Sequence, residues 1–240
     1  MNRRILITGA SSGLGEALAL ALARPGVNLI LTGRRTDALN RVADAIRSKG
    51  ATAQTHLLEL SSADEVLAFG EAIASVSTGL DVLIHNAAVI KLGPLAESAI
   101  TDLDWHYQVN IKAPVILTKS LLERIRQTRG QLVFINSAAG LVARKGVAFY
   151  AGTKHALKAI ADSLREELAP EGVSVLSVFL SRMNTPMQQR VLEMEGAVAN
   201  LSAFLQPDST AEIIVQAMER CRRGKISSVT LKLGEAPMFE

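Results

Sequence analysis

The sequence contains a single cysteine, Cys221, among its 240 residues. One thiol excludes an internal disulfide framework and a metal site built from cysteines. The four histidines also lack partners at metal-ligand spacing, so we interpret them as packed, hydrogen-bonded side chains; they are His56, His85, His106 and His155. The sequence therefore predicts no metal site.

Long apolar runs and aromatic residues are scarce as well. No stretch approaches the roughly 18–20 consecutive apolar residues that a membrane span needs, and the apolar stretch after the basic start is too short for a signal peptide. Aromatic residues make up 4% of the chain, and the net charge of +3 comes from scattered bases. A nucleic-acid binder usually gathers its charge on one face. We therefore expect a cytoplasmic protein with neither a membrane nor a nucleic-acid partner.

Hydrophobic residues are abundant, at 48% of the chain, and they follow alternating strand-like and helical patterns. The predicted strands are 5–8, 28–32, 52–60, 81–85, 131–136, 173–179 and 228–233. The predicted helices lie near 14–24, 36–49, 62–75, 101–128, 149–168 and 209–223. Such alternation is typical of βαβ units. The predicted fold is α/β: one doubly wound (Rossmann) domain over residues 1–240, with a parallel seven-stranded sheet and helices on both faces.

A glycine-rich turn joins the first predicted strand to the first helix. Glycines let backbone N–H groups approach a pyrophosphate, which then lies on the helix N-terminus. No Lys-Ser/Thr pair follows the last glycine, which argues against a nucleotide-hydrolysing P-loop. Alternatively, the glycines only shape a turn in another kind of α/β protein. The candidate cofactor-binding residues here are Gly9, Ser11, Ser12, Gly13, Leu14 and Gly15.

The end of the second strand indicates which dinucleotide is bound. An acidic residue about 20 positions after the glycine turn would bind a free ribose 2′-hydroxyl, but Arg34 and Arg35 occupy this place. Arginine forks suit a 2′-phosphate, so the sequence favours NADP(H) over NAD(H). Two solvated loop arginines are the alternative.

The next two strands end beside the same predicted crevice. Because ligands of doubly wound sheets bind outside the carboxyl ends of the strands at the switch point, we expect these residues to line the adenine side of the cofactor. They are Glu59, Leu60, Asn86 and Ala87.

Pro114 interrupts the predicted helix 101–128, four residues after Asn110. Proline has no N–H, so the Asn110 carbonyl loses its intrahelical donor and needs another partner, such as a water or a lysine relay. A kink that only follows the curvature of the sheet is the alternative.

Ser137, Tyr150 and Lys154 are the candidate catalytic side chains. Ser137 ends a central strand, and the spacing of four places Tyr150 and Lys154 one turn apart on one helical face. A phenol has an ordinary pKa of about 10. A neighbouring ammonium and an oxidised nicotinamide favour the phenolate, so we expect a lowered Tyr150 pKa. Tyr150 could then exchange a proton with a substrate oxygen that Ser137 holds, while the cofactor exchanges a hydride with the carbon.

Together these motifs resemble the short-chain dehydrogenase/reductase family over essentially the full chain. The matching pieces are Thr8-Gly9-x-x-x-Gly13-x-Gly15, Asn86-Ala87-Ala88, Asn110, Ser137 and Tyr150-x-x-x-Lys154. The resemblance implies that Tyr150 is the general acid/base, Ser137 polarises the substrate oxygen and Lys154 binds the ribose. It further implies that the Asn110 carbonyl holds a relay water, that Thr185 binds the nicotinamide carboxamide, and that residues 186–206 form a lid.

The sequence departs from the family pattern at several positions, namely His85, Ala88, Glu59, Leu180 and Ser181. The last two replace the usual Pro-Gly beside the nicotinamide, which puts the shape of that loop in doubt.

The expected function is therefore an NADPH-preferring oxidoreductase acting on a small carbonyl compound or secondary alcohol. One alternative is a reductase of 3-oxoacyl thioesters, with Arg124, Arg126 and Arg129 attracting an acidic carrier protein. Another is a regulator that binds NADP(H) without turnover. The resemblance also implies a homodimer or homotetramer formed through the helices that carry Asn110 and Tyr150.

Overall fold

The computed structural model describes residues 3–232 and 238–239. Its strands are β1 (Arg3–Thr8), β2 (Val27–Gly33), β3 (Thr52–Leu57), β4 (Val82–His85), β5 (Gln131–Ser137), β6 (Ser174–Leu180), β7 (Ser228–Leu231) and β8 (Met238–Phe239). Its α-helices are α1 (Gly13–Leu22), α2 (Thr36–Ser48), α3 (Ala63–Val76), α4 (Ile100–Tyr107), α5 (Ala113–Gln127), α6 (Ala148–Leu168), α7 (Pro186–Glu195) and α8 (Pro207–Arg222).

The strands form one sheet in the order β3-β2-β1-β4-β5-β6-β7-β8. Strands β1 to β7 are mutually parallel, and only β8 pairs antiparallel, with β7. The predicted doubly wound, seven-stranded parallel sheet is thus confirmed, and β8 adds a short edge strand. The chain reverses its winding direction between β1 and β4, which makes this the switch point where such sheets bind ligands.

Alternate residues of each central strand pack on opposite faces of the sheet, as the pleat requires. Ile5 and Ile7 of β1 pack toward α1, α2 and α8. Leu6, between them, packs toward α3, α5 and α6. Helices therefore cover both faces, and the strands are buried runs of apolar residues, as in other parallel sheets.

The third strand ends at Leu57, three residues earlier than predicted, and residue 233 of the predicted last strand lies outside the described residues. The chain leaves β3 because Glu59 starts a turn: its Oε1 accepts hydrogen bonds from the Ser61 N–H and hydroxyl at 3.0 and 2.8 Å. Ser62 then caps α3 by accepting the Glu65 N–H at 3.3 Å, a common helix start.

The predicted helix 101–128 is two α-helices joined by a π-helical turn, Gln108–Lys112. In this turn the Ala113 N–H bonds to the carbonyl of Gln108, five residues back. Pro114 has no N–H to offer Asn110, so the wider turn is a physical consequence of the proline. The turn carries Asn110, and π-helical turns frequently occur at functional sites.

The packing predicts a clear difference between two leucines in strands. Leu83 of β4 is fully buried, whereas Leu57 of β3 is 62% exposed. We expect Leu83→Ala to lower the free energy of unfolding by about 3–5 kcal/mol, because it removes buried contacts and leaves a cavity.

Leu57→Ala is the matched control and should change the free energy of unfolding by less than about 0.5 kcal/mol. Urea unfolding of both variants checks this. Equal losses would contradict the assignment of β4 to the centre of the sheet.

Candidate active site

A cleft of about 1420 Å³ lies across the carboxyl ends of the strands at the switch point. Its volume exceeds that of a typical small-ligand pocket, about 300–1,000 Å³. Most of the predicted site residues line it: Gly9, Ser11, Ser12, Gly13, Leu14, Arg34, Arg35, Glu59, Leu60, Asn86, Ala87, Ser137, Tyr150, Lys154 and Thr185. The structure thus brings residues that follow six strands, β1 to β6, together in one cleft.

The glycine turn is shaped to let a ligand approach the backbone. Gly9 and Gly13 have φ values of 68° and 59°, in the left-handed region that favours glycine. Ser12 stands at the N-cap of α1 without bonding the helix through its side chain. The N–H groups of the first turn of α1 therefore remain available to an anion, so the turn fits the pyrophosphate of a dinucleotide.

Gly15, although predicted to bind cofactor, packs beneath the turn instead of lining the cleft. A Cβ at this position would overlap the carbonyl oxygen of Gly9 and lie 2.6 Å from Asn86 Nδ2. The third glycine therefore permits close packing of α1 against the end of β1.

The segment after β4 is clamped onto the glycine turn. Asn86 Nδ2 donates to the carbonyls of Thr8 and Gly9 at 2.9 and 3.2 Å. Thr8 Oγ1 accepts the N–H groups of Asn86 and Ala87, each at 3.1 Å, and donates to the Ile84 carbonyl. Sequence reasoning treated Thr8 only as a motif residue at a strand end, yet its hydroxyl joins the two halves of the cleft wall.

The arginines after β2 lie at one end of the cleft. The side chain of Arg34 is 58% exposed, and its NH1 is 4.0 Å from Glu59 Oε2. Arg35 donates to the Ser11 carbonyl at 3.5 Å, a long hydrogen bond. Leu60 lies beside Glu59 in the same wall. An exposed, loosely paired guanidinium at a strand end is free to bind an anion.

The candidate catalytic side chains meet at the carboxyl end of β5. Tyr150 and Lys154 lie one turn apart on α6 and are 9% and 2% exposed. Lys154 Nζ donates to the Ile135 carbonyl at 3.1 Å and lies 5.8 Å from the centre of the Tyr150 ring. Ser137 Oγ accepts the Ala139 N–H at 3.1 Å.

Asn136 supports this group and was not predicted. Its Nδ2 donates to the Lys154 carbonyl at 3.0 Å, and its Oδ1 accepts the Ser137 N–H at 2.8 Å. The sequence signal that could have identified it is a polar amide directly before Ser137, at the end of an apolar strand. Asn136 is 4% exposed, and buried amides must find hydrogen-bond partners.

Burial dominates the proton affinities at this site. It raises the pKa of the Tyr150 phenol, while a hydrogen-bonding interaction with the Ser137 side chain acts in the opposite direction. Burial also lowers the pKa of Lys154 to about 8. The expected lowering of the Tyr150 pKa is therefore not produced by the described residues alone, because burial disfavours the phenolate.

Asn110 lies behind the cleft wall instead of lining it. Its amide pairs with the backbone of Val89: Oδ1 accepts the N–H at 2.9 Å and Nδ2 donates to the carbonyl at 3.0 Å. Nδ2 also donates to Thr153 Oγ1 at 3.1 Å. The side chain thus ties α6 and the π-helical turn to the segment after β4.

Thr185 and the following helix cover the cleft from the β6 side. Thr185 caps α7 by accepting the Gln188 N–H at 3.3 Å, and its methyl group faces Gly13. In place of a Pro-Gly loop, Leu180 extends β6 by pairing with β7, and the Ser181 N–H bonds to the Leu231 carbonyl at 3.0 Å. Met187, Val191 and Phe204 of the predicted lid line the cleft.

Three of the four histidines form hydrogen bonds, namely His85, His106 and His155, whereas His56 packs against Phe69 and its buried Nε2 has no hydrogen-bond partner among the described residues. His85 Nε2 lies 2.9 Å from Thr118 Oγ1, and burial lowers its pKa to about 3. His106 Nε2 accepts the Lys91 N–H at 3.0 Å. Within residues 3–232 no group of three or more His, Cys, Asp or Glu side chains is arranged to hold a metal ion. In the same part of the chain, no helix combines the length and apolar character required to cross a membrane.

Comparison with known proteins gives consistent relatives. The family model described as short chain dehydrogenase matches residues 3–196. Dehydrogenase/reductase SDR family protein 7-like of Drosophila melanogaster is 34% identical over 227 residues, which are 90% of this chain and 69% of that protein. Oxidoreductase UcpA of Salmonella typhimurium is 32% identical over 236 residues, covering 98% of this chain and 85% of that one.

A solved structure of a short-chain oxidoreductase has a similar fold. A metagenomic short-chain oxidoreductase in complex with NADP superposes with a TM-score of 0.82 at 27% identity and covers 98% of both chains. From its sheet, its glycine turn and these relatives, the chain belongs to the short-chain dehydrogenase/reductase family of NAD(P)-dependent oxidoreductases.

Proposed function

We propose that the protein is an NADPH-preferring reductase of a small carbonyl compound, or the corresponding alcohol dehydrogenase, with Tyr150 as general acid/base. One observation carries the proposal: a single cleft is lined by the glycine turn, by Arg34 and Arg35, and by Ser137, Tyr150 and Lys154. Such a cleft has room for a dinucleotide and a small substrate end to end.

In the proposed complex the uncapped start of α1 holds the pyrophosphate, and Arg34, with Arg35 beside it, binds the 2′-phosphate. Lys154 holds the nicotinamide ribose, and Thr185 the carboxamide. When bound, the cofactor supplies the hydride that reduces the substrate carbon.

The chain's own residues handle the proton. Ser137 donates a hydrogen bond to the substrate oxygen and keeps it near the Tyr150 phenol. Burial raises the pKa of Tyr150, which keeps the phenol protonated and able to give its proton to that oxygen. The side-chain amide of Asn110 is already bonded to the backbone of Val89. We therefore assign the relay water toward Lys154 to the backbone carbonyl of Asn110, which has no N–H donor from Pro114.

The proposal includes residues 186–206 as a lid over the substrate within a single domain. The apolar groups that Met187, Val191 and Phe204 present to the cleft support it, because they would cover an apolar substrate. Self-association through α5 and α6 and a location in the cytoplasm stay predictions.

The carrier-protein alternative has little support from the arginines on which it depends. Arg124 donates to the Ala74 carbonyl at 2.8 Å, and Arg126 pairs with Glu171. Arg129 packs along Gly172. The guanidinium groups of Arg124 and Arg126 are thus bonded within the protein, and the aliphatic carbons of Arg129 are packed against it. The non-catalytic alternative lacks a specific observation in its favour, because the phenol, hydroxyl and ammonium meet in the cleft.

We expect Tyr150→Phe to lower the rate of NADPH oxidation with carbonyl substrates by about 10²- to 10⁴-fold, the usual contribution of a general acid. NADPH affinity should be nearly unchanged, because only a hydroxyl is lost. The measurement follows NADPH absorbance with a panel of ketones, aldehydes, quinones and 3-oxoacyl thioesters.

Tyr107→Phe is the matched control, since Tyr107 is the other tyrosine of the chain and is 52% exposed. A full rate in Tyr150→Phe, or equal losses in both variants, would refute the assignment of Tyr150. Wild-type protein that binds NADPH but reduces none of the panel would favour the regulator alternative.

Arg34→Ala should weaken NADPH binding roughly 10- to 100-fold, the value of a hydrogen bond to a charged group, and leave NADH binding almost unchanged. Arg24→Ala is the control. Arg24 is exposed and precedes the amino end of β2, whereas the cleft lies at the carboxyl ends of the strands. Fluorescence titration with both cofactors checks this. Equal weakening of NADPH and NADH would remove Arg34 from the 2′-phosphate site.

A further inference from the structure

The end of the cleft away from Arg34 is strongly apolar. It is formed by the segment after β4, the loop between β5 and α6, and the lid, which contribute Ile90, Leu92, Leu141, Val142 and Phe204. Leu141 and Val142 are 39% and 65% exposed. A backbone hydrogen bond of 2.9 Å from Gly93 to Gly146 joins the first two segments. Large apolar side chains exposed together in a cleft mark a surface that a ligand covers.

The charges at this end are unbalanced. The acidic residues that line the cleft, within the described part of the chain, are Glu59 and Glu195. Glu59 is engaged by Ser61 and faces Arg34. Glu195 receives both NH groups of Arg182, at 2.8 and 2.5 Å. Neither carboxylate forms an ion pair with any other arginine that lines the cleft.

Two further arginines line this end of the cleft, Arg144 in the loop before α6 and Arg190 on α7. Both are exposed, and neither has an ion pair or a side-chain hydrogen bond with any described residue. An exposed loop arginine such as Arg144 is ordinarily a solvated surface charge. Its place in the cleft wall, beside Val142 and without a counter-charge, argues instead for a ligand that brings the negative charge.

We propose that the substrate is an amphipathic carbonyl compound, with an apolar body over Leu141 and Val142 and an anionic end group, carboxylate or phosphate, bound by Arg144 with help from Arg190. This rests on the proposed function. A guanidinium binds either anion through two parallel hydrogen bonds. The cofactor phosphates are assigned to the glycine turn and to Arg34, at the other end of the cleft, so they leave Arg144 free.

The test uses straight-chain methyl ketones of five to eleven carbons that carry a terminal carboxylate, the matching primary amide or a phosphate ester. Calorimetry measures their affinity for the protein with NADP⁺ bound, a complex that cannot reduce a ketone, and for the free protein. The variants are Arg144→Gln, Arg190→Gln and, as control, Lys145→Gln. Lys145 is exposed in the same loop but does not line the cleft. Thermal melting checks that each variant is folded.

At the best chain length, an anionic ketone should bind roughly 10- to 100-fold more tightly than its amide. Arg144→Gln should abolish most of this preference and Arg190→Gln part of it, while Lys145→Gln keeps it and NADPH affinity is unchanged in all three. A preference for only one of the two anions identifies the end group.

Equal affinity of acids and amides at every length, no binding of any anionic ketone, an unchanged preference in Arg144→Gln or a similar loss in Lys145→Gln would overturn the proposal. Turnover is a separate readout. Anion-selective binding without NADPH oxidation would contradict the proposed reductase and leave the charge preference standing. Reduction of acids and amides with equal affinity and rate would support the reductase and contradict the charge preference.

Discussion

The hydrogen bonds between Thr8, Asn86 and the glycine turn hold the cleft together. Strands β1 and β4 are neighbours in the sheet but far apart in sequence. The Asn86 amide and the Thr8 hydroxyl join the loops that follow them. One loop carries the N-terminus of α1, which we propose as the pyrophosphate site, and the other continues to Val89, which Asn110 fixes. Because the same two side chains bind both loops, this clamp holds the glycine turn and the segment after β4 in a fixed relation to each other.

The second constraint is burial at the proton-transfer end. Lys154 is almost completely buried. Its ammonium donates to the carbonyl of Ile135, and the side-chain amide of Asn136 donates to the backbone carbonyl of Lys154. The same low-dielectric surroundings lower the pKa of Lys154 and raise that of Tyr150, since each group is favoured in its neutral form. A protonated phenol suits a reductase, which must give a proton to the substrate oxygen. In the reverse direction, the positive charge of an oxidised nicotinamide would oppose the effect of burial.

Prediction from the sequence succeeded best where a residue type or pattern restricts the backbone to one kind of structure. Alternating apolar runs predicted the parallel sheet, and Pro114 predicted the disturbance of helix 101–128, although a π-helical turn rather than a simple kink resulted. The helix α7 was missed, although Thr185 and Pro186 at its start and Gly196 at its end, with φ of 61°, are ordinary boundary signals. The sequence predicted Gly15 and Asn110 as site residues, but in the structure neither lines the cleft. The packing of distant segments decides which side of a turn faces a ligand, and the sequence does not show that packing. Thr8 and Asn136 act through partners that sequence spacing does not reveal.

The account depends most on the claim that one cleft orients the dinucleotide from Arg34 to Tyr150. A crystal structure with NADP⁺ tests this directly. The account predicts the 2′-phosphate at Arg34, the pyrophosphate on the N-terminus of α1 and the nicotinamide ribose in contact with Lys154, with the ring beside Tyr150. A cofactor bound in the opposite direction, or one whose nicotinamide lies away from Tyr150 and Lys154, would contradict it.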